Sequence, residues 1–520
     1  MGTRAGLTSW RDRRTRVVDL RGATVIPGLG DAHAHLDREG LKLLYPSLAR
    51  CRSIADIQRV IRRLAANRPR GEWIVTMPVG SPPFYLDAPT GLTEQRWPTR
   101  ADLDAAAPDH PVYVRGIWGY WNKPPVYSVA NSAALRAAGV TRDTRPPKGV
   151  EILTDATGEP SGVFVEHNLI QVLEFTLMRA APRFTHADRL RALDASQRRY
   201  AARGVTSVYE GHGIAPEVLA VYREARERGA LRLRCWLAVS PTWPAADSAR
   251  AIADVASWAG GRGIGDDLLR VGGICLHHGG DPEVARILHE SQPYTGWAGF
   301  VESANTPESY REQAELAAAH GLRINTLVTR SLPQTLDSWE SIAARHPVAD
   351  LRWVLVHLHV ATPADIARIK RLGVAVTTNP ISYLWRSGEA EVERAGGVAE
   401  LVIPHRSLAR ARIPFGLATD NKPADPWLAF RAAVDRRDLA SGKVLGVSER
   451  LTRVQALRAL TAGAAWLGFA ERERGVLAAG WLADLAVLDR DPLTAPLEAL
   501  DELHCSMTMV GGRVIHSEPS

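Results

Sequence analysis

The sequence predicts an α/β protein built on a (β/α)8 barrel of the TIM type. Three observations lead to this fold class. The stretch from about residue 203 to 421 repeats the order helix, glycine, apolar strand; eight strand candidates can be counted; and polar side chains that could bind a metal stand at the ends of several of these strands. At 520 residues the chain is too long for one simple core, so a barrel with accessory regions is expected.

The helices of the repeat carry end signals. A glycine separates each helical pattern from the next apolar run, where a helix needs a left-handed residue, at Gly204, Gly229, Gly321 and Gly373. Two helices are expected to begin with a threonine cap before a proline, at Thr306-Pro307 and Thr362-Pro363. The strand candidates read, in chain order, GLGDAHAH, VTSVYE, LRLRCWLAV, LRVGGICLH, LRINTLVT, LRWVLVHLHV, VAVTT and PFGLATD. Eight is the number that closes a barrel.

Two regions exceed a minimal barrel. Residues from about 36 to 200 separate the first two strands, and their turn-rich phrases predict an inserted β-rich subdomain over 71–170. The tail from Gly475 reads as short strands joined by glycine-containing turns, which predicts a small β-domain. Before it, Thr452 and Gln455 form a capping box that should open a helix.

Composition argues against several classes of protein. The net charge of +7 comes from scattered arginines without a basic stripe, so nucleic-acid binding is not expected. The four cysteines form no CxxC pair, which favours a reducing, cytoplasmic location over a disulfide framework. No apolar run long enough to cross a membrane and no signal-peptide pattern is visible. A small-molecule substrate is therefore the expected partner.

Histidines and one aspartate are the leading candidates for chemistry. His33 and His35 are two residues apart, so on a strand both imidazoles would reach one ion. His357 and His359 repeat this spacing inside an apolar strand, where unsatisfied polar groups are costly. Asp420 follows the eighth strand, where a carboxylate can bind a metal and act as a base. Histidines in a turn and an aspartate that caps a helix are the alternatives.

The end of the fourth strand offers Cys275, His277 and His278, which could supply a further ligand or substrate contacts. A buried structural cysteine beside loop histidines explains the same residues. In the insertion, three clustered aromatic residues could line a substrate pocket or pack the insertion itself: Trp118, Tyr120 and Trp121.

Four segments together resemble motifs of the amidohydrolase superfamily: VIPGLGDAHAHLD, RWVLVHLHV, LATDNKP and GVLAAGWLADLAVLD. Two further segments are similar to the insertion of its YtcJ-like branch: NSAALRAAGVTRDT and TDATGEPSGVFVEHN. This branch is amidohydrolase family 3, which includes N-substituted formamide deformylases. The resemblance implies a distorted barrel over 26–474 and a small β-sandwich made from residues 1–25 and 475–520. Only about 20 residues precede DLRGATVIPG, so the sandwich is expected to be reduced, or the natural start to lie further upstream. Homodimerisation is a further expectation.

The resemblance also implies a divalent metal, usually zinc, and hydrolysis of an amide or related C–N bond. By motif match the metal ligands would be His33, His35, His357 and Asp420, with Asp420 also the general base. In the expected mechanism, the metal or a histidine such as His359 polarises the carbonyl. The substrate expected from the aromatic residues of the insertion is apolar or aromatic.

This sequence departs from the family pattern at positions that matter. Cys275 stands where the branch commonly has a lysine, Leu327 where it has a histidine, and Val356 where it has a glutamate. One metal ion is therefore expected, with a cysteine-containing site as the second choice, and Fe²⁺ or Mn²⁺ as alternatives to Zn²⁺.

The alternative functions are a non-hydrolytic metal enzyme (a decarboxylase, dehydratase or cyclase) and, less favoured, a binding protein with a decayed site.

Overall fold

Eight parallel strands form the predicted barrel in the computed structural model, which describes Thr8 and residues 11–82, 84–116 and 124–518. Each strand pairs with the next one along the chain. Between the first and the last strand the ring is joined by a hydrogen bond of 3.1 Å from the Ala32 N–H to the Leu417 carbonyl. The barrel strands are Leu29–Asp31, Val205–Ile214, Arg234–Val239, Leu269–Cys275, Ile324–Leu327, Val354–Val356, Ala375–Thr378 and Phe415–Leu417.

Helices surround these strands, and the predicted end signals are in place. The hydroxyls of Thr306 and Thr362 accept hydrogen bonds from backbone N–H groups of the first turn, and Gly373 ends its helix in the left-handed region at φ 67°. Thr452 and Gln455 form the predicted capping box. The longer barrel helices are His186–Ala201, Pro216–Glu227, Ser248–Ala259, Pro282–Glu290, Pro307–Ala319, Leu332–Ala343, Pro363–Leu372 and Pro426–Asp435, with shorter ones at Gly388–Arg394, His405–Arg410 and Arg453–Arg458.

The predicted insertion after the first strand holds a sheet of its own. Three of its four strand pairs are antiparallel. In spatial order its strands are Ile74–Thr76, Val112–Val114, Val126–Ala130, Pro160–Glu166 and Val150–Thr154, and helices accompany them at Ile54–Ala66, Arg100–Asp104 and Ser132–Ala138.

Strands from both ends of the chain meet in one antiparallel sheet. Its members are Thr24–Pro27, Leu485–Leu488, Cys505–Val510 and Arg513–Ser517, in this spatial order. Ile26 and Leu488 of this sheet belong to the same buried apolar cluster as Val205 and Leu237 of the barrel. The strands from the two ends therefore share a core with the barrel.

The barrel interior is filled below its C-terminal face. The Tyr209 and Trp236 rings stack with their centroids 4.7 Å apart, and both residues belong to a buried cluster with Val354 and Val356. This packing leaves the C-terminal ends of the strands as the place where polar side chains can gather.

Candidate metal centre

Four residues that were predicted as ligands converge at the C-terminal face of the barrel. His33 Nε2 and His35 Nε2 lie 3.9 and 2.9 Å from Asp420 Oδ1, and His357 Nε2 lies 3.8 Å from Asp420 Oδ2. All four residues are buried. Both histidine pairs begin just beyond the strand ends rather than within the strands, because the first strand stops at Asp31 and the sixth at Val356.

The backbone around the cluster is held by side chains from the first and last strands. The Asp31 carboxylate accepts hydrogen bonds from the His33 N–H at 3.2 Å and the Thr419 N–H at 3.0 Å. The Asn421 amide oxygen accepts from the His35 N–H at 2.7 Å, and its amide N–H donates to the His35 carbonyl at 3.2 Å. These bonds join segments nearly 390 residues apart and fix the positions of the candidate ligands.

Asp420 is held in its ionised form. Burial raises the pKa of its carboxyl, but Lys422, His357 and His35 together outweigh burial and hold the pKa well below its ordinary value. The Lys422 ammonium donates to Oδ2, and the Asn379 amide donates to the same oxygen at 3.3 Å. The site therefore offers an anionic oxygen whose charge is already balanced by a neighbouring cation.

Two of the imidazoles are held neutral. Burial holds the pKa of His33 well below its ordinary value, and the charges of His357 and His35 lower it further. Burial lowers the pKa of His357 to about 4, although Asp420 opposes this shift. Neither His33 nitrogen has a hydrogen-bond partner among the described residues, and neither does His357 Nδ1. Buried polar atoms are normally satisfied, and a neutral imidazole has one nitrogen with a free lone pair, so each of these rings fits a cation that would accept that lone pair.

The second strand adds two residues that the sequence analysis missed. Glu210 Oε2 bonds to His35 Nδ1 and accepts from Arg38 at 3.3 Å, while its Oε1 accepts from the His212 N–H at 2.9 Å. The ligand atoms of His33, His35 and His212 lie within 4.8 Å of one another, as do those of His33, His357 and Asp420. The signal was present in VYEGHG, where Glu210 and His212 have the same two-residue spacing as the histidine pairs.

Cys275 is buried at the end of the fourth strand. Burial raises the pKa of its thiol well above the ordinary value. Within the described ranges, neither of the two groups of potential ligands includes Cys275. The structure thus brings together the four residues predicted as ligands by motif match. It does not bring Cys275 into either group of potential ligands.

The remaining candidates line a cavity of about 600 Å³ above this cluster. His359 Nε2 lies 3.5 Å from Glu391 Oε2, and its ring stacks on Tyr383. His277 Nε2 lies 3.3 Å from Glu302 Oε1, and the His278 ring stacks on a tyrosine. Lys422, which donates to Asp420 Oδ2, also lines the cavity, so this part of the wall lies next to the cluster. Three predicted pocket residues lie outside the described residues: Trp118, Tyr120 and Trp121.

The sequence pattern of the amidohydrolase family matches residues 16–516. The chain belongs to the amidohydrolase family. The putative amidohydrolase YtcJ of Bacillus subtilis is 24% identical, over 97% of this chain and 91% of that protein. The N-substituted formamide deformylase of Arthrobacter pascens is 26% identical, over 95% of this chain and 89% of that protein.

This amidohydrolase also shares its fold with solved structures. An uncharacterised metal-dependent hydrolase from Pyrococcus furiosus superposes with a TM-score of 0.64 at 24% identity, over 92% of this chain and 89% of that chain. One from Pyrococcus horikoshii superposes with a TM-score of 0.66 at 23% identity, over 93% and 90%. At this level of identity the likeness shows the distorted barrel fold. None of the described helices is long and apolar enough to cross a membrane.

Proposed function

We propose that this amidohydrolase is a metal-dependent hydrolase of a non-peptide, amide-like C–N bond in a small molecule. The observation that carries the proposal is the convergence of His33, His35, His357 and Asp420 on one buried point, with both His33 nitrogens orphaned. A donor set of imidazoles and one carboxylate suits zinc best, and it also suits iron or manganese.

His33, His35, His357 and Asp420 would hold a divalent ion, which would lower the pKa of a water molecule toward ~7 and polarise a carbonyl. The chain's own groups then handle the proton. Asp420 is ionised and fixed by Lys422 and Asn379, so it can take a proton from the attacking water. It then donates that proton to the leaving nitrogen as the C–N bond breaks. His359 faces the same cavity, where it can orient the substrate carbonyl.

Replacing Asp420 by Asn tests this assignment. The variant keeps the shape of the side chain but removes the base, so turnover should fall by about 100- to 10,000-fold. Asp484→Asn is the matched control, because Asp484 is a buried carboxylate just before the strand Leu485–Leu488 and is ion-paired with Arg234. Near-normal kcat in Asp420→Asn would contradict the role of Asp420 as the base.

Metal content and product analysis complete the test. After growth with added metal, purified protein should carry about one equivalent of a divalent ion; a small fraction of an equivalent would favour a decayed site. Reaction in oxygen-18 water should place the label in the acid product. Turnover without label in the product would instead favour a decarboxylase, dehydratase or cyclase on the same site.

A further inference from the structure

The cavity beside the candidate metal centre has a polar wall where it is described. Leu327, Val284 and a few other apolar residues contribute, but most of the lining side chains are charged or carry hydroxyl, amide or imidazole groups. The aromatic residues on which the expected apolar pocket rests lie outside the described residues, so that expectation stays a prediction. A pocket lined in this way selects its ligand through a few polar contacts.

One cation of the wall stands apart from the others. Within the cavity, Lys422 is paired with Asp420 and Arg394 with Glu391 at 2.6 Å, whereas Arg386 lies over an aromatic ring. Arg330, in the loop after the fifth strand, is an exposed residue at the cavity, and no hydrogen bond or ion pair joins it to a described residue. The segment 117–123, which lies outside the described residues, contains no aspartate or glutamate.

The surroundings of Arg330 suit an anion. Ser331, which also lines the cavity, is the N-cap of the helix Leu332–Ala343, so the positive end of a twelve-residue helix faces the same space. Arg330 presents a planar fork of N–H donors that matches a carboxylate in two parallel hydrogen bonds.

Other buried polar atoms of the wall are also without partners. The Ser382 hydroxyl and both His278 nitrogens are buried without a hydrogen bond to any described residue. Leaving such groups unsatisfied is costly, so the occupant of the cavity is expected to be polar along its length.

We propose that the cavity binds an amide that bears a carboxylate, with the carboxylate paired to Arg330 and the amide carbonyl at the histidine cluster. This inference rests on the proposed function, because it places the scissile bond at that site. In the reaction, the oxygen of water bonds to the carbonyl carbon, the C–N bond breaks, and the proton taken up by Asp420 passes to the nitrogen. The carboxylate at Arg330 is unchanged.

The test uses a matched panel of N-formyl, N-acetyl and N-benzoyl amino acids, each as the free carboxylate and as the neutral carboxamide. Binding to the metal-loaded protein is measured by calorimetry and by the shift in melting temperature. At least one carboxylate should bind about tenfold more tightly than its carboxamide, as expected for one charge-assisted pair. Arg330→Gln should remove this preference, and Arg330→Lys should retain part of it.

Arg250→Gln is the matched control, since the Arg250 side chain is 89% exposed on a helix that does not line the cavity. The proposal is overturned if no carboxylate of the panel binds better than its carboxamide, or if Arg330→Gln keeps the preference. Cleavage is scored separately: tight binding of a carboxylate without release of the amine would refute the hydrolytic function and leave the binding site standing.

Discussion

Replacing Glu210 by Gln removes the carboxylate that lies behind His35 and keeps the volume of the side chain. In the native protein, Oε2 of Glu210 bonds to His35 Nδ1 and to Arg38, and Oε1 accepts from the His212 backbone. The bond to Nδ1 leaves His35 Nε2 facing Asp420, where a metal would bind. A carboxylate behind a metal-binding histidine fixes its orientation and raises its basicity.

The size of the effect follows from these contacts. Glutamine has one carbonyl oxygen, so it cannot satisfy both His35 Nδ1 and the His212 N–H as the carboxylate does. Arg38 keeps a second acid nearby, because Asp37 lies 3.6 Å away. The loss should therefore fall mainly on His35. Metal affinity should drop by about 10- to 100-fold, the usual cost of removing such a partner, which corresponds to about 1.4–2.7 kcal/mol.

The assay is a competition titration of Zn²⁺ between the apoprotein and a chromophoric chelator, at constant pH and ionic strength. Asp484→Asn is again the control, because it breaks a buried ion pair with Arg234 away from the cluster. Urea unfolding of both apoproteins separates a change in stability from a change in affinity. Equal zinc affinity for the native protein and Glu210→Gln would refute the role assigned to Glu210.

Two further predictions concern residues outside the proposed ligand set. Cys275→Ser should leave metal content and zinc affinity unchanged, because neither group of potential ligands includes the thiol; loss of metal measured by mass spectrometry would place the sulfur among the ligands. Glu166→Gln should change how stability depends on pH: burial raises the pKa of Glu166 from 4.5 to about 8, so the folded state binds more protons than the unfolded state across that window, and the free energy of unfolding falls as pH rises. Glutamine resembles the neutral form, so urea titrations between pH 5 and 8 should show a smaller fall, and identical slopes would contradict this account.

The barrel could be predicted from the sequence because its signals are local. Helix, glycine and apolar strand follow one another in each unit, and Gly373 or Thr362 marks an end through contacts within a few residues. The eight strands that the patterns indicate are the eight that form the barrel. Family membership, too, follows from short motifs that occur in a fixed order along the chain.

The site could be predicted only in part, because its geometry depends on contacts across the barrel. The HxH spacing pointed to His33 and His35, but nothing local shows that Glu210 bonds to His35 across 175 residues. The same holds for Arg330, whose sequence context TLVTRS resembles any loop after a strand. Arg330 is distinguished by its place in the cavity wall and by the contacts that the other cations of the wall make. Both depend on the folded structure rather than on the local sequence.

The backbone at the candidate centre departs from the conformation of a regular strand. His357, Asp420 and Asn421 have left-handed φ angles of 60°, 51° and 58°. Such a conformation costs about 1–3 kcal/mol for a residue other than glycine and persists only where the surroundings enforce it. Here the Asp420 N–H donates to the His33 carbonyl at 3.0 Å, and the Asn421 N–H donates to Thr419 Oγ1 at 3.2 Å.

These turns redirect side chains that a continuing strand would point alternately inward and outward. At His357 the reversal comes directly after the sixth strand, and at Asp420 it comes shortly after the eighth, so both side chains reach the point above His33. Aspartate, asparagine and histidine tolerate the left-handed region better than most residues, so the residue types that suit metal binding also suit the turn. The backbone strain at His357 and Asp420 therefore accompanies the orientation of their side chains toward the cluster. At Asp420, the hydrogen bond to the His33 carbonyl helps to offset this strain.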